Sequence, residues 1–418
     1  MAHTSLHDIV KSHLCIGCGL CTIDPNTKGS EFNEKNDCYT PKVYDKHCNL
    51  ALQICPGKGY EIVNIAKKRY DNENSQYDLE LGYIHSCIAA HTSDTKILEN
   101  ASSGGIITSI LLYLLNNKIV DKVSVTQFEC NKEGVKTKSF LTDNPSEILK
   151  AQGSKYCPVS LDCLIKELHE YNGKVAIVAT PCVIAGIHNI QNSCPDYIKS
   201  DIVFTIANFC GGFKSYKNIK RLAEIHQVNI FDLKEFRFRG GGQPGSLRFV
   251  ENRGKESQTP YPQYVGLNGY SKMYRCHVCP DATGELADIA CGDAWIPRFE
   301  QDSSPWSMVI CRSASATDLL SKMQKDKSIV TQCVSLQEIK QSQRYNLASK
   351  KKRQKARMYL YNKLGYKIPL FDGGYYDNCT SIKTEWTVFF KHKLTLWAEK
   401  TGLYMPLYGK KKLNEKKK

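Results

Sequence analysis

The run Cys15-Ile16-Gly17-Cys18-Gly19-Leu20-Cys21 constrains this chain more than any other stretch. Three thiols recur at every third position, with a glycine on either side of the middle one. A loop so spaced can wrap one corner of an iron–sulfur cubane and offer three thiolates to three irons. Gly17 and Gly19 suit that wrap, because backbone that closely approaches inorganic sulfide often needs positive φ. The competing readings are three packed core cysteines or a zinc knuckle. Structural zinc sites usually draw on two separated pairs of ligands, and a plain core seldom spaces three cysteines evenly. The spacing therefore predicts an iron–sulfur site.

Composition narrows what surrounds it. A chain of 418 residues, 41% hydrophobic, is long enough for two or three domains and a substantial core. Met1 to Val10 is polar and does not read as an export signal. The longest apolar run, Ile106 to Leu115, is too short to span a bilayer. Nineteen cysteines in that context predict a reducing, cytoplasmic setting, where clustered thiols serve metal or redox chemistry. The net charge of +15 is uneven: from Lys340 onward, 20 Lys and Arg face 5 Asp and Glu, so the rest of the chain is neutral. A nucleic-acid enzyme would gather basic residues around its working site, so nucleic acid is not the expected partner.

After Cys21 the bacterial ferredoxin pattern breaks, because it asks for a fourth Cys where Pro25 stands. The next cysteines are Cys38, Cys48 and Cys55. Cys55-Pro56-Gly57 reads as the fourth ligand, since Pro ends local backbone pairing and turns the chain away. Cys48 competes for that place, and Cys38 reads as an incidental loop thiol. Residues 67 to 82 are polar and read as a linker.

Ala101-Ser102-Ser103-Gly104-Gly105 then leads into the apolar run, which predicts a buried helix with Ser103 as N-cap. Free amides at such a start suit a phosphate. A strand is expected over Lys118 to Val125, and a helix over Ser160 to Tyr171, where Leu161, Leu164, Ile165 and Leu168 keep helical spacing. Lys174 to Ala179 and Asp201 to Ala207 read as buried strands with a helix between them, which predicts a parallel sheet covered on both faces. Cys182 and Cys210 each fall just beyond the carboxyl end of a strand, where open α/β sheets place ligands.

Arg237 to Gly245 is a glycine-rich turn with two arginines. It reads as a hairpin between Phe236 and Leu247, as a cradle for pyrophosphate, or as both. Cys276-His277-Val278-Cys279 is a CxxC, and with Cys182 and Cys210 it offers four thiols for a second cubane. Cys291 lies in a strand-like segment and reads as packed. Cys87, Cys130, Cys157, Cys163, Cys194, Cys311, Cys333 and Cys379 lack ligand spacing and read as structural. In the basic tail, Trp386, Phe389, Phe390, Leu394 and Trp397 lie at helical spacing among lysines. That pattern fits a docked terminal helix or an interfacial helix on an anionic membrane.

Five stretches in one order carry a family resemblance: Ser102 to Gly105, Gly153-Ser154-Lys155-Tyr156, Thr180-Pro181-Cys182, Arg239 to Gly245, and Cys279 through Trp295. From Cys15 to Trp295 the chain resembles the beta-subunit family of coenzyme F420 (deazaflavin) hydrogenase and formate dehydrogenase. The resemblance implies an oxidoreductase with FAD and two [4Fe–4S] clusters. Its flavin nucleotide would be held by Ser103, Gly104, Gly105, Gly153, Lys155, Arg239, Gly240 and Gly242. Cys15, Cys18, Cys21 and Cys55 would hold the outer cluster, and Cys182, Cys210, Cys276 and Cys279 the inner one.

The expected fold is α/β, or α+β overall. A ferredoxin-like segment (1–66) precedes an α/β flavin-binding body (83–160 and 161–335) and a basic helical tail (340–418). Ferredoxin or reduced deazaflavin would be the electron carrier. The first expected activity is reduction of a small organic substrate, such as a sugar or lipid-linked intermediate. The alternatives are an electron-input subunit of a hydrogenase or dehydrogenase, and a zinc-stabilised binding protein without catalysis.

Overall fold

The computed structural model describes residues 5–42, 48–261, 263–264, 272–373 and 381–400. Cys379 and the lysine-rich end from 401 lie outside the described residues. A mixed sheet of eight strands organises the chain. In chain order the strands are β1 (Ser86–Thr92), β2 (Lys122–Asn131), β3 (Gly134–Thr142), β4 (Lys174–Ala179), β5 (Asp201–Asn208), β6 (Ile289–Asp293), β7 (Ser307–Cys311) and β8 (Ile329–Cys333). Their spatial order is β8-β1-β7-β6-β5-β4-β2-β3. Strands β6, β5, β4 and β2 run parallel at the centre, and antiparallel pairs flank them. The sheet is thus mixed, and parallel only where the apolar runs of β4 and β5 are covered on both faces.

Helix Ile106–Asn116 and helix Pro181–Ser193 form where expected, and strands Leu233–Arg237 and Ser246–Glu251 pair as the hairpin around the glycine-rich turn. Two local expectations change. Residues 67 to 82 are not an unstructured linker. Helix Ile62–Tyr70 enters them because Ile62, Ala66 and Tyr70, four apart, bury one face, and two short strands follow. Ser103 is not the N-cap. Gly105 takes that place at φ 71°, and Ser103 donates instead to the carbonyl of Trp306 at 2.9 Å.

The amino-terminal segment carries helix Leu6–Lys11, the hairpin Ser30–Asn33/Cys38–Pro41 and helix Asn49–Ile54. It packs on helix Pro181–Ser193 through Ile16, Leu20, Ile54 and Ile184. The chain beyond β8 returns to this region. Leu370–Phe371 pairs in parallel with Gly59–Tyr60, and Asp372 accepts the amides of Val63 and Asn64. Helix Ile382–Lys400 docks through Glu385, which is buried against Arg353 and Arg357, and through Phe389 against Tyr361. Its other face leaves Phe390, Leu394 and Trp397 exposed. No helix among the described residues is long and apolar enough to cross a membrane.

Candidate functional site

The amino-terminal trio and Cys55 line one cavity. Gly17 and Gly19 stand at φ 72° and 74°, so the loop takes the left-handed backbone that glycine allows. A Cβ on Gly19 would lie 1.8 Å from the Asp162 carboxylate. Buried Asp24 accepts the amide of Ala51 at 2.9 Å, which ties helix Asn49–Ile54 to this loop and delivers Cys55 to the trio. Cys48, at the start of that helix, is buried but does not line the cavity. Cys38 is more than an incidental loop thiol. It lies beside Cys15, whose sulfur donates to the Tyr39 carbonyl at 3.8 Å, and Cys38 chiefly holds the Cys15 thiol below its ordinary value against the opposing effect of burial. Burial, and then the charge of Cys15, pushes Cys55 up to about 11.

Cys182, Cys210, Cys276 and Cys279 line a second cavity. Cys182 sits in the first turn of helix Pro181–Ser193, directly after β4. Cys210 follows β5, its amide held by the carbonyl of Ala282 at 2.8 Å. The CxxC lies on and just beyond the short helix Tyr274–His277. Burial, then Cys210 and Cys279, pushes Cys182 up to about 12. Burial also opposes ionisation of Cys279, but Lys350 and Arg275 outweigh it and bring that thiol below its ordinary value. Four such thiols ionise together only beside a bound cation, as metal coordination supplies.

Each set of four thiols surrounds a space, and four thiolates are the donor set that a [4Fe–4S] cluster takes. The two spaces are neighbours: Ile16 lines both, and the charge of Cys182 raises the cost of ionising Cys18.

A third and larger cavity, about 240 Å³, opens at the carboxyl ends of the parallel strands. Val178–Thr180, Asn208 and Cys291–Asp293 face it, at the position where open α/β sheets take ligands. It meets the second thiol cavity at one turn, since Thr180 and Val183 line the large pocket while Pro181 and Cys182 line the thiol cavity. Ile106, Leu111, Val125 and Ile148 give it an apolar wall, and Ser124, Thr126 and Ser154 give it polar edges. Lys155 supplies a cation, donating to the carbonyls of Ala151 and Gly153 at 2.5 and 3.0 Å. Burial and the nearby Arg237 lower Lys155 to about 7. The pocket thus combines an apolar wall, polar edges and one cation.

Ser103, Gly105, Gly153 and Lys155 line this pocket, whereas Gly104, Arg239, Gly240 and Gly242 stand outside its lining. Arg239 is paired at 2.6 Å with Asp293, which lines the pocket, and stands 5.4 Å from the rings of Tyr261 and Trp295. Its carbonyl accepts from Ser102 and packs on Gly153, where a Cβ would meet it at 2.6 Å. The glycine-rich turn therefore buttresses the pocket wall. Gly104 approaches β1 and β7 so closely that a Cβ would sit 2.5 Å from the Ala90 carbonyl.

Arg275 and Lys350 escape sequence reading. Arg275 donates to the carbonyls of Gly57 and Pro56 at 2.9 and 2.7 Å, joining the loop after Cys55 to the inner thiols. Its place beside Cys276 was the available signal. Lys350 lies among many tail lysines, and only the fold brings it to the thiols.

Residues 87–166 match the family described as coenzyme F420 hydrogenase/dehydrogenase, beta subunit N-term, and residues 172–336 match its C terminus. The coenzyme F420-dependent sulfite reductase of Methanocaldococcus jannaschii is 26% identical over 370 residues, covering 84% of this chain and 52% of the relative. The chain thus spans about half the length of that protein. The coenzyme F420 hydrogenase subunit beta of Methanococcus voltae is 26% identical over 256 residues, 59% of this chain and 83% of the relative. Among solved structures, a chain of the F420-reducing [NiFe] hydrogenase complex from Methanosarcina barkeri shares the fold at a TM-score of 0.54 and 22% identity, over 70% of this chain and 98% of that one. The chain belongs to the coenzyme F420 hydrogenase/dehydrogenase beta-subunit family.

Proposed function

We propose that this chain is the electron-input part of a deazaflavin-dependent oxidoreductase, working beside a larger catalytic partner. The observation that carries this reading is contiguity. The outer thiols adjoin the inner thiols at Ile16, and the inner thiols adjoin the large pocket at the turn Thr180–Val183. When bound, iron–sulfur clusters supply one-electron chemistry, and a flavin or deazaflavin ring supplies two-electron exchange. Cys15, Cys18, Cys21 and Cys55 would hold the outer cluster. Cys182, Cys210, Cys276 and Cys279 would hold the inner one.

Ser103, Gly105, Gly153 and Lys155 would bind the ring's nucleotide or other anionic arm, whether FAD or the deazaflavin itself. Gly104 and the Arg239–Gly242 turn would keep the wall in shape. The relatives' names, hydrogenase and formate dehydrogenase beta subunits among them, support this role ahead of direct reduction of a sugar or lipid-linked substrate. The test is anaerobic titration of the reconstituted chain with reduced coenzyme F420. Bleaching of the cluster absorbance on addition supports the role, and a chain that neither binds nor oxidises the coenzyme contradicts it.

The exposed Phe390, Leu394 and Trp397, flanked by Lys383 and Lys393, suit contact with an anionic membrane surface. Salt-sensitive flotation with anionic liposomes, lost on deleting residues 382–418, is the expected result. Flotation unaffected by that deletion contradicts the contact.

A further inference from the structure

The two thiol cavities differ in charge. Among the described residues the outer one is lined by thiols and by no charged side chain. The inner one is also lined by two buried cations, Arg275 and Lys350, and by Asp281. Arg275 is shared between the sites, because its guanidinium donates to the carbonyls of Pro56 and Gly57 that follow Cys55. Lys350 belongs to the inner site alone.

Lys350 is placed by a π-helical turn, Ala348–Lys352, a rare element that recurs at functional sites. Two successive lysines are buried there. Lys351 has a counter-charge, the buried Glu285. Lys350 has none of that kind: its ammonium donates to the main-chain oxygen of Asp281 at 2.6 Å, and among the described residues no carboxylate forms an ion pair with it. The carboxylate of Asp281 accepts the amides of Gly284 and Glu285 and keeps its negative charge near Lys350 without pairing with it. An ammonium taken out of water needs a compensating negative charge. The larger part of what is offered to Lys350 comes from the inner thiols whose cavity it lines, with Asp281 contributing less.

We propose that Lys350 sets the reduction potential of the inner site, acting as a fixed positive charge that favours the added electron and makes this site easier to reduce than the outer one. The inference rests on the reading of the two thiol sets as cluster sites. A cluster bound by four thiolates gains negative charge on reduction, and a nearby buried cation stabilises that charge strongly where the dielectric is low. Lys350 lies beyond residue 336, where the family match ends, so the device is a feature of this chain's carboxyl-terminal segment.

The test is a dithionite titration of the full-length anaerobic protein followed by electron paramagnetic resonance. Cys18→Ala and Cys279→Ala assign the two signals. Lys350→Met and Lys350→Gln remove the charge, and the Gln variant carries the measurement if the Met variant does not fold. Both are expected to shift the inner signal to more negative potential, lowering its reduced-to-oxidised ratio at fixed potential by about tenfold, or 59 mV for a one-electron couple. The outer signal stays in place, and Lys350→Arg keeps the wild-type value. An unmoved inner potential with iron fully retained overturns the inference and leaves the cluster reading intact. Equal movement of both signals, or an arginine variant that behaves like methionine, also overturns it. A wild-type protein with no iron at the inner thiols overturns both.

Discussion

The outer and inner thiol sites use the same four-cysteine donor set but are built in opposite ways. The outer site is local: three ligands come from one seven-residue loop, and the fourth arrives on the next helix. Among the described residues its lining carries no charged side chain, and Cys38 beside it holds the Cys15 thiol below its ordinary value. The inner site is assembled from β4, β5 and a short helix that lies more than 60 residues beyond Cys210, and it is closed by Lys350 from the tail. Local construction makes a site recognisable from spacing. Assembly across the sheet puts a site against the large pocket and gives it a charge environment that no short motif encodes.

Removing Arg275 tests where the two sites are joined and should have the largest effect. Arg275→Met leaves the buried carbonyls of Pro56 and Gly57 without their donor, at a cost of about 3 kcal/mol. Lower stability in anaerobic urea unfolding and iron loss from both sites are expected. Iron loss from the inner site alone would show that the junction is not shared.

Lys155 tests the pocket that the inner site adjoins at the turn Thr180–Val183. Because its value is lowered to about 7, by burial first and then by Arg237, with Cys157 opposing, the unliganded ammonium loses its proton as pH rises through that value. An anion in the pocket favours the protonated form. Affinity for the deazaflavin should therefore be full below about pH 7 and fall above it, by as much as about tenfold per pH unit. Lys155→Met should bind weakly at every pH with a flat profile. A Met variant that retains the wild-type slope would remove Lys155 from this role.

Cys38→Ala should have the smallest effect and mark the outer site alone. Truncating this buried thiol beside Cys15 costs about 1 kcal/mol. Faster release of the outer iron to a chelator, with inner iron unchanged, is the expected outcome. Equal release from both sites would argue against the separation.

The difference in construction also explains what could be read in advance. Strands β4 and β5, the helix between them and the hairpin at the glycine-rich turn follow from apolar runs and turn residues, which are local signals. The left-handed backbone at Gly17 and Gly19 was legible because only glycine takes it readily in so tight a loop. The mixed character of the sheet was not, since β1, β7 and β8 join it from distant parts of the chain. Arg239 beside three glycines suggests a phosphate cradle, and its pairing with Asp293, 54 residues on, is visible only in the fold. Ser103 had the chemistry of a cap, and only the fold reveals that Trp306 and Ser307 hold its hydroxyl instead.

The claim beneath this account is that two separate clusters are held by two separate sets of thiols. Iron and sulfide quantitation with electron paramagnetic resonance, on anaerobic wild-type protein, Cys18→Ala and Cys279→Ala, addresses it directly. The account predicts that each variant loses a different half of the iron and a different signal. Zinc in place of iron, or one substitution emptying both sites while the protein stays folded, would contradict it.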